Sequence, residues 1–184
     1  MRLVSSLVFL AFLGACATLT EEQCRGGDWS GIGYNDGING RSGEYISNHF
    51  DACSELGITP DIGAWQSGRE QGLLRYCTPE NAYITGRNGG NFNQVCPIND
   101  RSTLNAAYDW GAEYYDISQE IRILTEEQFQ LELAIAAILA LPAPTPADMA
   151  QLAQMQSRVR LIDRQLWRLE NRLERYEVPP LLRL

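Results

Sequence analysis

Two stretches in the C-terminal half place apolar residues in alternating steps of three and four. The first runs Tyr114, Ile117, Ile121, Leu124, Leu131, Ile135 and Ile138, with Gln128 taking one seam position. The second runs Leu152, Met155, Val159, Ile162, Leu166, Leu169, Leu173 and Tyr176. Such alternation is the seam of a coiled coil. Between them lies Pro142-Ala143-Pro144-Thr145-Pro146, which cannot continue a helix. Thr145-Pro146-Ala147-Asp148 then restarts one, with a capping hydroxyl, a proline in the first turn and an acid behind it. A connection this short forces the helices antiparallel. The expectation is an αα-hairpin over 104–178 with its loop near 142–147, each arm about 45 Å long.

Charge fits that pairing. From Asp109 to Glu132 the first arm carries seven acids and one arginine, while the second carries Arg158, Arg160, Arg164, Arg168, Arg172 and Arg175. Opposite balances favour docking, although exposed pairs contribute only modestly. The arginines are interleaved with Asp163, Glu170 and Glu174, so they form no continuous basic face. One run does not fit a hairpin. From Leu131 to Leu141 only Glu132 is polar, and two paired helices bury one stripe each. Eleven residues are too few to cross a bilayer. The tip is therefore expected either to dock on the rest of the chain or to meet a protein partner or another copy.

The first residues carry an address. Met1-Arg2 and an apolar stretch from Leu3 to Leu13 lead to Leu13-Gly14-Ala15-Cys16. A basic start, a short apolar core and a small-residue exit read as a secretory signal. The last four residues resemble the lipobox of bacterial lipoproteins. The resemblance implies cleavage after residue 15, lipid on Cys16 and attachment to a membrane through several acyl chains. Ala17 follows, with no Asp to hold the protein at the inner membrane. The expected location is the inner leaflet of the outer membrane, facing the periplasm. Residues 16–23 would be the tether.

Removing the signal leaves 169 residues, enough for a real core. Four cysteines remain: Cys24, Cys53, Cys77 and Cys96. In an oxidising compartment an even set reads as two disulfides, with connectivity left open. A zinc site is disfavoured because no CxxC pair is present. The formal net charge of −8 argues against nucleic acid as a partner. The chain has no lysine, which removes Schiff-base, Ser-Lys and P-loop chemistry, and one histidine, which removes a His-rich metal site. No cofactor is implied.

The stretch 24–103 reads as a domain of short helices, expected near 43–56, 60–76 and 79–88. Thr59-Pro60-Asp61 and Thr78-Pro79-Glu80 each supply a cap, a proline and an acid, and Gly57 and Gly89-Gly90 supply stops. A motif recurs: Trp65-x-x-Gly68-x-x-x-Gly72, then Tyr83-x-x-Gly86-x-x-x-Gly90, then Tyr108-x-x-Gly111-x-x-x-Tyr115, with Gly33 and Gly37 near Trp29. Glycine inside a helix costs about 1 kcal/mol against alanine. The expected reason for it is a notch beside an aromatic ring where another helix packs. An aromatic strip for a ligand is the alternative.

Residues that could carry chemistry are few. His49 and Cys53 share a helical face, but an oxidised Cys53 cannot serve as a nucleophile. Asp28, Asp36, Asp61 and Trp65 with His49 form the one candidate cluster, with no spacing that pairs two carboxylates for glycoside hydrolysis. Gly33 to Gly40 fails the calcium-loop pattern and reads as a Gly/Asn-rich turn or short capped helix. No catalytic constellation is recognised, so an enzyme is not expected.

The succession Asp28-Trp29, Gly33, Asp36-Gly37, His49, Cys53, Gly57, Pro60-Asp61, Trp65, Gly68, Gly72-Leu73, Tyr76-Cys77, Tyr83, Gly86, Val95-Cys96-Pro97 and Tyr108 resembles a bacterial family of lipoprotein-like chains, domain of unknown function 2799. The likeness covers about residues 24–115. It implies no activity, and it supports one unit built around His49 and the cysteines. The expected whole is all-α: a disulfide-stapled short-helix domain, then a coiled-coil-like hairpin and a tail over 179–184. Its expected role is that of an envelope binding or scaffold protein making protein contacts through the hairpin. The alternative is a cell-wall glycan module around His49.

Overall fold

The computed structural model describes residues 18–179. The expected signal stretch, Cys16 and residues 180–184 lie outside them. Every regular element described is helical: α1 Glu21–Gly26, α2 Trp29–Ile38, a 3₁₀ turn Gly43–Tyr45, α3 Ile46–Ser54, α4 Ile62–Tyr76, α5 Pro79–Arg87, α6 Arg101–Leu139 and α7 Pro146–Tyr176. The chain divides into two compact units that part between Leu73 and Leu74. Each is stapled once, by Cys24–Cys53 and by Cys77–Cys96, with Cα–Cα distances of 5.7 and 5.6 Å. The parting falls inside the stretch read from sequence as one domain.

The local signals act as their chemistry requires. Thr78 and Thr145 cap α5 and α7 through their side chains, with Pro79 and Pro146 in the first turn. One cap differs from expectation. The amide of Ala64 donates to Asp61 Oδ1 at 3.0 Å, so Asp61 caps α4 and Thr59 does not. Gly57 and Gly89 take positive φ, +68° and +70°, as helix-ending glycines do. The Gly/Asn-rich stretch is a helix, α2, capped by Asp28 through the Gly31 amide at 2.9 Å.

In the first unit α2 and α4 pack backbone to backbone and run in the same direction. Gly33 faces the carbonyl of Trp65, and Gly37 faces that of Arg69. In return Gly68 faces the carbonyl of Ser30 and Gly72 that of Tyr34. A Cβ at any of the four would lie 1.9–2.2 Å from a backbone oxygen. The glycines are thus the contact surface itself, as the packing reading expects. Around this crossing Leu19, Cys24, Trp29, Cys53 and Trp65 form the core.

The second unit repeats the device between α5 and α6. Gly86 faces the Tyr108 carbonyl and Gly111 faces that of Tyr83. Gly90 departs from the motif: it lies beyond α5, against Thr85, outside the crossing. The Tyr76 ring stacks on Phe92 at 4.7 Å, and burial pushes the Tyr76 phenol up. Tyr83 donates its hydroxyl to the carbonyls of Tyr176 and Glu177, tying α5 to the end of α7.

Helices α6 and α7 form the expected antiparallel hairpin, with a seam of Ile117, Leu124, Ile162 and Leu169 and half-buried Ile121, Leu131, Leu166 and Leu173 beside them. Arg158 makes two hydrogen bonds to Glu127 at 2.5 and 2.7 Å, and Arg172 pairs with Glu113. Gln128 fills its seam position by donating to Asp163 at 2.9 Å. The Arg158 guanidinium holds the Glu127 carboxyl below its ordinary value. Both side chains are more than a third exposed, so that pair orients more than it stabilises.

Unreduced protein is expected to leave Cys24, Cys53, Cys77 and Cys96 unlabelled by thiol alkylation. Changing Cys24 and Cys53 together to alanine should cost roughly 2–5 kcal/mol in urea unfolding. Stoichiometric labelling of Cys53 in the native chain would contradict the pairing.

Candidate functional site

His49 is 2% exposed, and beside it no other acidic or basic side chain is buried among the described residues. Helix α3 places it one turn before Cys53, which is bonded to Cys24, so no free thiol faces the ring. Its Nε2–H donates to Asp36 Oδ2 at 2.7 Å, and the carboxylate fixes the hydrogen on that nitrogen. The same oxygen accepts from Trp65 Nε1 at 2.8 Å. Nδ1, left as the acceptor, lies 2.9 Å from the hydroxyl of Thr18, whose one hydrogen can go either to it or to the carbonyl of Asn48 at 3.0 Å. Tyr45 meets the imidazole edge-on with centroids 5.3 Å apart.

The structure therefore gathers His49, Asp36 and Trp65 from three separate helices. The other two members of the sequence-derived cluster stand elsewhere. Asp28 and Asp61 are spent capping α2 and α4. Reading the sequence missed Thr18 and Tyr45. A lone threonine within the expected tether carries no local signal, and only α1 docking brings it round. Among the described residues no group of three His, Cys, Asp or Glu could hold a metal ion.

Hydroxyl, imidazole and carboxylate in a row are the members of a nucleophile relay. Here both ring nitrogens are already bonded, and a proton could reach a substrate only after Thr18 moves away. The hollow beside them, lined by Thr18, Gln23, Asn35, Asp36, Tyr45 and His49 among others, measures about 130 Å³. Small-molecule sites run to several hundred. What the arrangement does chemically is close: it satisfies two buried N–H groups, on His49 and Trp65, with one carboxylate.

Residues 28–113 match the model of one protein family, described as "Protein of unknown function (DUF2799)". No curated protein and no solved structure matches the chain. The matched segment opens at the cap of α2 and ends two residues after Gly111. It contains every glycine of both helix crossings and the Asp36–His49–Trp65 network, while most of the hairpin lies beyond it.

Proposed function

Residues 28–113 match the DUF2799 family model, and from that likeness we propose that the chain is an envelope lipoprotein serving as a periplasm-facing binding or scaffold protein. In this reading lipid on Cys16 fixes it to the inner leaflet of the outer membrane, and the hairpin meets protein partners. Two disulfides within the described residues are in keeping with an oxidising compartment. No described helix is long and apolar enough to cross a membrane.

The observation that carries the reading is a second apolar face on α6. Phe129 and Leu133 are 53% and 51% exposed, and Ala136, Ala137 and Ala140 are exposed beside them. Spaced by four, three, one and three, these residues lie on the side of the helix opposite the seam that packs on α7. Exposed contiguous apolar surface marks interaction sites. The glycan alternative has less support, because the His49 site is closed and its hollow small.

A photo-crosslinking residue at position 133, in intact envelopes, is expected to capture a discrete protein. Phe129→Glu or Ala137→Glu should abolish the product with helicity unchanged. Mass spectrometry of the same material should find acyl chains on Cys16. A free, unmodified Cys16 amine, or no specific product at position 133, would sink the proposal.

A further inference from the structure

The stripe runs up into the apex of the hairpin, and there apolar exposure is no longer confined to one face. From Leu133 to Ala147 fifteen residues carry no charge, and Thr145 is the one polar side chain among them. The exposed groups go round the end of the hairpin rather than along one face. Leu139 at the end of α6 is 64% exposed, Leu141 in the loop 43% and Met149 in α7 50%. A protein groove takes one stripe of a helix; an end that is apolar all round suits a continuous apolar medium.

The amides of the apex, though not its carbonyls, are largely satisfied, which suits an interfacial layer where water still reaches the carbonyls. Pro142, Pro144 and Pro146 have no N–H. Ala140 and Leu141 donate theirs to the carbonyls of Ala136 and Ile138, both at 3.1 Å. Thr145 directs its amide and its hydroxyl to Asp148 Oδ2, each at 2.7 Å, and the Asp148 and Met149 amides return to Thr145. From Ala140 to Met149, the amides of Ala143 and Ala147 are left without a partner among the described residues. An unpaired N–H costs several kcal/mol in hydrocarbon, and this loop has shed nearly all of them.

We infer that the hairpin apex seats in the interfacial layer of a zwitterionic phospholipid surface. Charge selects the surface. No basic residue occurs between Arg122 and Arg158, and the charges nearest the apex are Glu132 and Asp148. Nothing there attracts anionic lipid, so burial of apolar area is the driving force. Asp148 sits in the first turn of α7, which limits entry to about one helical turn, roughly 5 Å. This contact goes beyond the proposed scaffold role and needs neither the Cys16 lipid nor a protein partner.

The test uses the mature chain with Cys16→Ser, so that acyl chains do not mask the effect, and phosphatidylcholine vesicles in a flotation assay. The chain is expected to float with the vesicles. Its bound fraction should change less than twofold between low and high salt, and should not rise when phosphatidylglycerol is added. Leu139→Glu with Leu141→Glu should reduce partitioning tenfold or more at unchanged helicity. Pro144→Glu, in the loop and outside both helices, should do the same if the double variant loses helix. Phe129→Glu, on the stripe, should float as the parent does. Failure of the parent to float, equal flotation of the apex variants, or binding that needs anionic lipid and vanishes in salt overturns the inference. If only the position-133 crosslink survives, the apex contact is wrong and the scaffold reading stands.

Discussion

Gly68→Ala is expected to destabilise the N-terminal unit by about 2–3 kcal/mol, the upper range for forcing extra atoms into packed space. The added Cβ would stand 1.9 Å from the Ser30 carbonyl oxygen and 2.8 Å from its carbon. Both are backbone atoms of α2, so no rotamer change relieves the clash, and the two helices must separate. Separation would pull Gly33 from the Trp65 carbonyl and Gly72 from that of Tyr34, loosening the whole crossing. Alanine gains up to about 1 kcal/mol in helix propensity, which offsets part of the loss. Gly63→Ala in the same helix isolates that gain. Its Cβ would meet only Asp61 Oδ1, at an ordinary 3.5 Å, so Gly63→Ala should be neutral or stabilising by about 0.5–1 kcal/mol. Urea unfolding of the two variants should therefore move in opposite directions. Equal shifts would mean that the crossing is not held by close approach.

That crossing shows where the sequence was informative. An aromatic followed by glycines at three and seven has a period, and a period implies a face. A face lined with costly glycine implies backbone contact, and α2, α4, α5 and α6 make it. The hairpin was legible for the same reason, since its seam repeats over two long arms with a proline break between. Position within a motif was less secure. Gly90 keeps the spacing, yet Gly89 with its positive φ has already ended α5, so the spacing there reflects a stop and not a notch. Asp61 took the capping role from Thr59 because either side chain can cap and only the trajectory of the chain decides. The His49 network was half legible. Burial of a lone histidine demands a partner, and Asp36 was among the candidates. Thr18 was not, because contacts across some thirty residues leave no local trace. Disulfide connectivity belongs to the same class: Cys24 finds Cys53 only after α1 and α3 come together.

Asp36→Ala should have the largest effect of any single change at the His49 site. One oxygen, Asp36 Oδ2, accepts hydrogen bonds from both His49 Nε2 and Trp65 Nε1. Removing it leaves two N–H groups without an acceptor in the core formed with Trp29, Cys24 and Cys53. A buried donor left without its acceptor typically costs about 1–3 kcal/mol, so the two together are expected to cost about 2–6 kcal/mol in urea unfolding. Asp36→Asn keeps a carbonyl oxygen at the same reach, so its cost should be markedly smaller, near 1–2 kcal/mol. The pair of variants separates two roles. If Asp36 is there to satisfy His49 and Trp65, stability follows the presence of an acceptor, and alanine is much worse than asparagine. A second signature lies at Thr18, which reaches the ring from its other side. Once the ring is free to turn, the peptide bonds around Thr18 should be cut faster by protease in Asp36→Ala than in Asp36→Asn at matched temperature below the transition. Should Asp36→Ala cost less than about 1 kcal/mol, the network is not holding the unit together. A carboxylate–imidazole pair kept without a structural need would then be a functional pair, and the glycan reading of this half of the chain would regain the ground it loses here.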